Sequence, residues 1–301
     1  MPPTEMSTLE TLPAVPPAAR RVPQQSWRNG VALAGERSLA EEVPVAFSYD
    51  GTSHAVLMAT PDDLEEFALG FSFTEGIIRT PQEIAELEVV CTADGIVLRI
   101  WLTGERSDAF AARRRRFVGP AGCGMCGLES LAEANRAIPR VPYGLRVSQD
   151  DIQEAVAALP QRQALNLQTR SVHAAAFWEP GRSLVLREDV GRHNALDKLA
   201  GALLSQGRYA AAGIVVVSSR ISIELVQKAG MMGASVVVGI SAPTALAVRT
   251  AEAAGITLAG IARDDGFEVF THPGRVWGLC GVAAQSSADE VQSTRRLPAA
   301  S

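Results

Sequence analysis

The chain has 301 residues, 47% of them hydrophobic, and a net charge of −5. That is enough apolar material for one large core or two ordinary ones, while an acidic balance argues against general nucleic-acid binding, which needs a basic stripe. Four cysteines in a chain of this length do not form a disulfide framework.

The N-terminus, MPPTEMSTLE, lacks the basic start and apolar block of a secretory signal. The longest apolar runs, such as AAGIVVV, are too short to span a bilayer. We therefore expect a soluble, cytoplasmic protein that binds neither membrane nor nucleic acid. Residues 1–25 and the tail 286–301 are rich in proline or small side chains, show no apolar periodicity, and are expected to be disordered.

The first folded stretch is VPVAFSYDGTSHAVLMA, where Val45, Phe47 and Tyr49 alternate with smaller or polar residues and Asp50-Gly51 offers a hairpin turn. In TPDDLEEFALGFSFTEGII, Thr60 is positioned to cap a helix and Pro61 to open it. Leu64, Phe67, Ala68 and Phe71 then fall on one helical face. A second hairpin signal in LEVVCTADGIVLRIWL places a turn at Asp94-Gly95. Residues 26–135 thus read as an N-terminal α+β domain with antiparallel strands, ending in the loop that holds Cys123 and Cys126.

After the linker-like IPRVPYGLRV the rhythm changes. The short apolar strands GIVVVSS, SVVVGIS and TLAGIAR alternate with helical segments, which indicates a parallel sheet covered on both faces. Residues 136–285 are expected to form a C-terminal α/β domain. Ligands of such sheets bind beyond the carboxyl ends of the strands. Those ends carry Ser218, Ser219 and Arg220, then Ser241 and Thr244, then Arg263. Any one loop of this kind is more often a plain helix cap. Three in succession, two with arginine, favour a phosphate-bearing ligand. Neither a P-loop nor a G-x-G-x-x-G pattern follows a strand. LREDVGRHNALDKL is a further dense polar patch containing His193, whose acids and bases can also simply pair and cap.

The stretch RRRRFVGPAGCGMCGLESL places Arg113, Arg114, Arg115 and Arg116 shortly before Cys123 and Cys126. A structural zinc site needs two more ligands. Cys91 and Cys280 are isolated in apolar contexts, and no histidine starts an H-x-E that would mark a zinc deaminase. No protein-bound metal is expected. A thioredoxin-type dithiol fits the spacing but not the first half of the chain. Sulfur carriage fits a thiol that is reachable, glycine-flanked and close to cations. The arginine run by itself reads more readily as a solvated face.

The blocks EEVPVAFSYDGTSHAVLMATPDDLEEFALGFSFTEGII, GCGMCG, HAAAFW, LREDVGRHNALDKLAG, SSRISIELVQKA, SAPTALAV and THP resemble, in order, the FdhD/NarQ family of formate dehydrogenase accessory sulfurtransferases. The resemblance implies a sulfurtransferase that takes persulfide sulfur from a cysteine desulfurase. It passes that sulfur to the molybdenum of bis(molybdopterin guanine dinucleotide), a guanine-containing cofactor that formate dehydrogenase needs. It implies that Cys123 is the persulfide carrier, that Cys126 assists it, and that Ile261, Ala262, Arg263, Asp264, Asp265 and Gly266 form the segment that contacts the cofactor. It further implies a cytidine-deaminase-like α/β/α domain lacking the zinc ligands, and a homodimer. The chain departs from the family pattern at Ile261, where an aromatic residue is common, and in the acidic pair Asp264-Asp265, which a polyanion would not favour.

Overall fold

The structure, a computed structural model, describes residues 14–117, 138–142 and 144–279. The segment with Cys123 and Cys126, and also Cys280, lies outside the described residues. Strands β1 (Ala19–Arg28) and β2 (Val31–Ala40) form an antiparallel ribbon in unbroken register. It turns at Asn29-Gly30, both at positive φ (51° and 81°), the residue pair that a two-residue primed turn favours. The expectation of disorder up to residue 25 is therefore corrected from Ala19 onward. Pro23 is tolerated because both strands are edge strands.

The next sheet contains β3 (Val43–Tyr49), β4 (Thr52–Ala59), β5 (Ile84–Thr92) and β6 (Gly95–Leu102), in the order β4-β3-β6-β5. The first hairpin turns at Asp50-Gly51 as expected, with φ of 50° and 76°. The second turns one residue earlier than expected, on Ala93-Asp94, because Thr92 pairs with Gly95. The central pair, β3 and β6, is parallel, which corrects the purely antiparallel reading. Helix α1 (Leu64–Thr74) and β5 lie between those strands in the chain, so β6 returns beside β3 in the same direction. Helix α1 buries Leu64, Phe67, Ala68 and Phe71 against this sheet. It begins after Asp63, a left-handed cap residue with φ 52°, and not at Thr60. Helix α2 (Gly104–Phe117) follows β6, and the backbone of Arg113–Arg116 lies within it.

The second half runs β7 (Val147–Ser148), α3 (Gln149–Ala157), two short helices α4 (Leu159–Arg162) and α5 (Ala164–Thr169), β8 (His173–Trp178), β9 (Val185–Asp189), α6 (Arg192–Ser205), β10 (Ile214–Val217), α7 (Ile223–Met231), β11 (Val236–Gly239), α8 (Ala245–Ala254), β12 (Thr257–Arg263), β13 (Gly266–Val269) and β14 (Val276–Trp277). Strands β8 to β13 form one six-stranded sheet in the order β13-β12-β11-β10-β8-β9. The three strands read as parallel, β10, β11 and β12, are parallel, whereas β8 and β13 run against them. Alternate residues feed two cores: Val215, Val217, Val237 and Leu258 on one face, and Ile214, Val216, Val236 and Val238 on the other. Both faces are covered, so the strands are continuously apolar. Among the described residues no helix is long and apolar enough to cross a membrane.

Helices α1 and α6 join the two halves. A Cβ at Gly70 would overlap the carbonyl oxygen of Asp197, and one at Gly201 would overlap that of Glu66. Only glycine permits so close a crossing. The chain's two lysines are spent at the same junction. Lys198 Nζ meets Asp189 Oδ2 at 2.7 Å and the Thr60 carbonyl at 2.8 Å. Lys228 Nζ lies 2.7 Å from Glu75 Oε1 and 2.9 Å from Asp197 Oδ1. Burial pushes the Asp197 carboxyl up to about 6, while the two carboxylates outweigh burial at Lys228 and hold it charged. Arg187 grips the Glu66 carboxylate through two nitrogens.

Candidate functional site at the carboxyl edge of the sheet

Strand β9 points the same way as β10, so the ends of β9, β10, β11 and β12 and the start of β8 share one edge of the sheet. Hydrogen bonds stitch the loops there into a continuous rim. The Ile240 N–H donates to the Val217 carbonyl (3.0 Å), that of Thr244 to Ile221 (2.9 Å), and that of Ile261 to Ser241 (3.3 Å). Gly260 allows the closure, since a Cβ there would press on Pro243 Cδ (2.9 Å) and on the Ser241 carbonyl (3.1 Å).

Several of the residues singled out in the sequence have structural duties on this rim. Ser218 Oγ accepts the Ala174 N–H at 2.8 Å, tying β10 to β8. Ser219 is buried and donates to the Arg220 carbonyl. Thr244 caps α8 through the Ala247 N–H at 3.2 Å. Ala262 is part of the core, so only its backbone belongs to the edge. Asp264-Asp265 form the exposed two-residue turn between β12 and β13, which explains acidic residues in that loop without a ligand. Arg220 and Arg263 are exposed, and Arg263 donates to the carbonyls of Ile240 and Ala262. Ile261 has a φ of 53° at an irregularity in the β12–β13 register. A β-branched residue in the left-handed region is strained, and such strain concentrates at functional sites.

The polar patch before α6 divides in two. Asp189 turns inward and accepts from the Gly191 N–H (2.7 Å), Asn194 Nδ2 (2.9 Å) and Lys198. With Thr60, which donates its N–H to Asp189 and accepts the Val190 N–H, these groups hold the first half of the chain. Arg192 and His193 remain at the rim. His193 Nε2 lies 2.8 Å from Glu224 Oε2 and 3.4 Å from Ser222 Oγ. Burial, with Arg192 and Lys228 adding to it, holds the imidazole down at about 4 despite Glu224. At neutral pH it is therefore a neutral ring donating Nε2–H to Glu224. His173, at the start of β8, is also held low by burial and by Arg192. Arg192 Nε is buried and has no hydrogen-bond partner among the described residues. A buried donor left unmatched is costly, and an anion would satisfy it.

Among the described residues, the N-cap positions of α6 and α7 make no side-chain cap bond to their first turns. With Arg192, Arg220 and Arg263, this edge can receive a phosphate-rich anion. Among the described residues, no group of three His, Cys, Asp or Glu side chains is placed to hold a metal ion. Cys91 is half-buried against the first core.

The FdhD/NarQ family model matches residues 40–277, which takes in both sheets and the whole rim. The chain belongs to the FdhD/NarQ family. Two relatives named sulfur carrier protein FdhD illustrate the likeness. The one from Agrobacterium fabrum is 51% identical over 259 residues, covering 85% of this chain and 96% of its own. The one from Cupriavidus necator is 45% identical over 264 residues, covering 87% and 92%. A crystal structure from Desulfotalea psychrophila, described as a formate dehydrogenase accessory protein, superposes with a TM-score of 0.66 at 25% identity, covering 86% of this chain and all of that one. This FdhD/NarQ chain thus shares the mixed α/β fold of that accessory protein.

In this FdhD/NarQ protein the rim brings together Ser218, Ser219, Arg220, Ser241, Thr244, His193 and the 261–266 loop. Three rim residues escaped the sequence reading. His173 opens an otherwise apolar strand, Glu224 hides in an amphipathic helix, and Arg192 looked like one more charge in a crowded patch.

Proposed function

We propose that this chain is a sulfur carrier serving the maturation of formate dehydrogenase. The observation that carries the reading is the family match across 40–277 in a chain that also holds the Cys123-x-x-Cys126 pair. The curated relatives carry the name of sulfur carrier. In the proposed cycle the Cys123 thiolate attacks the outer sulfur of a persulfide on a cysteine desulfurase. The product is a Cys123 persulfide, and the desulfurase cysteine leaves as a thiolate. Attack of the Cys126 thiolate on Cys123 Sγ then releases the outer sulfur as hydrosulfide and leaves a Cys123–Cys126 disulfide, to be reduced by an external thiol.

The receiver in this reading is bis(molybdopterin guanine dinucleotide), bound as a substrate. Arg192, whose Nε has no acceptor among the described residues, fits its phosphate groups, as do Arg220, Arg263 and the first turns of α6 and α7, which carry no side-chain cap among those residues. Its molybdenum would take up the released sulfur. The chain's own part is to hold the anion, with neutral His193 fixed by Glu224 beside it.

Mass spectrometry after incubation with a desulfurase and cysteine is expected to show one added sulfur on Cys123. Cys123→Ala is expected to abolish activation of formate dehydrogenase in a deletion strain. Full activation by that variant would leave a delivery chaperone that performs no thiol chemistry. A reversible Cys123–Cys126 disulfide without any added sulfur would instead indicate a dithiol oxidoreductase.

A further inference from the structure

A cavity of about 280 Å³ lies between the two halves, at the end of α6 opposite the rim. The helix has 14 residues, which puts about 20 Å between the two places. The floor comes from the second half: Ala200 and Leu203 on one face of α6, and Met232 just after α7, all buried. The first half supplies Phe73 near the end of α1, and Arg79 with the short turn that follows it. The reversal after α6 completes the wall. Gly207 takes a φ of 62°, the Arg208 N–H returns to the Leu203 carbonyl at 2.9 Å, and Arg208 and Tyr209 come to line the cavity.

Charge and polarity select the occupant. The lining holds two arginines and no acidic residue, in a chain of net charge −5. Arg208 is fixed in place, with Nη2 on Glu179 Oε2 (3.0 Å) and its guanidinium 5.1 Å from the Phe177 ring. Glu179 also pairs with Arg182 (3.3 Å), so it does not cancel the Arg208 charge in full. Arg208 Nε has no acceptor among the described residues. The Arg79 side chain is exposed and has no ion-pair partner among those residues. Tyr209, 75% exposed, presents an aromatic face and a phenol in water beside the apolar floor. An apolar floor with a few polar groups is the make-up of a small-molecule site, and the volume sits near the lower end of the usual range, roughly 300–1,000 Å³. We propose that this cavity binds a small organic carboxylate with an apolar body. The body rests on Phe73, Leu203 and Met232, and the carboxylate pairs with Arg79. None of the lining residues belongs to the rim and none is a cysteine, so the site stands or falls independently of sulfur carriage.

The test titrates phenylbutyrate, and its neutral counterpart phenylbutanol, into the deuterated, 15N-labelled full-length chain and follows the backbone amides by NMR. Phenylbutyrate is expected to bind with a Kd of about 1 mM or tighter and to shift the amides of Gln82, Gly207, Tyr209 and Ala210, leaving those of His193 and Ser222 at the rim in place. The alcohol should bind about tenfold more weakly, the effect of losing one charge-assisted hydrogen bond. Arg79→Gln should weaken the carboxylate by the same factor and leave the alcohol unchanged. That variant keeps the fold, because only the backbone N–H of Arg79 is used within the chain, on Glu83. The amide map of the wild type tests the location without any variant. Shifts centred on the rim, equal affinity for acid and alcohol, indifference to Arg79→Gln, or no binding at millimolar concentration would each overturn the proposal.

Discussion

His193 shows how a residue's surroundings decide its chemistry. In the sequence it is one base among several acids. In the structure, burial and the charges of Arg192 and Lys228 outweigh Glu224 and Glu75 and keep the ring neutral. Its folded-state value, about 4, lies below the ordinary 6.5, so the folded chain binds fewer protons than the unfolded chain between those values. Stability from this group is full above pH 6.5 and is lost as the pH falls towards 4. His193→Gln should therefore lose less stability than wild type between pH 7 and pH 5, by about 1–2 kcal/mol. Urea midpoints of both proteins at the two pH values check this, and equal losses would show that His193 is not held neutral.

At the level of elements, the crossing of α1 on α6 depends on two glycines that serve each other's helix. Gly70 lies against the backbone of Asp197, and Gly201 against that of Glu66, each four residues from the other contact point on its own helix. A side chain at either position must push the helices apart, which strains the packing of Phe67 and Phe71 and the contacts of Lys228. Gly201→Val and Gly70→Val should each cost about 3 kcal/mol, the upper range for overpacking. Both act on one crossing, so the double variant should cost clearly less than the sum. Strict additivity in chemical denaturation would mean the two sites do not share it. Neither glycine is conspicuous in the sequence, because a helical pattern shows which face is apolar but not how close the facing backbone comes.

Across the whole molecule, Lys198 and Lys228 make the two sheets one mechanical unit. Lys198 is fully buried between Asp189 of the second half and the Thr60 carbonyl of the first. Lys198→Met keeps the bulk but leaves the Asp189 carboxylate buried without its cation, at a cost of roughly 3–5 kcal/mol. Trp101 in β6 and Trp178 in β8 report on the two halves. Single-tryptophan versions retaining one or the other should unfold at the same urea concentration, and Lys198→Met should lower both together. Separate transitions in the wild type would show that the halves are not welded.

By itself the amino-acid order determined the local elements. The Asp50-Gly51 turn, the apolar face of α1 and the alternation of apolar strands with helices from Ile214 to Arg263 can all be read from neighbours in sequence, because backbone preference and side-chain period act over a few residues. Proline-rich surroundings hide the hairpin at Asn29-Gly30, and Thr60 does not cap α1 because its partners lie more than a hundred residues away at Asp189 and Val190. The rim loops stand in the sequence as separate signals, with no sign that Ser218 is bound to Ala174 or that Arg192 Nε has no acceptor among the described residues. Only the tertiary structure decided that β3 and β6 run parallel, that two glycines bring α1 onto α6, and which half of the Asp189–Lys198 patch faces inward. Those outcomes depend on burial and on contacts between distant segments, which no local pattern contains.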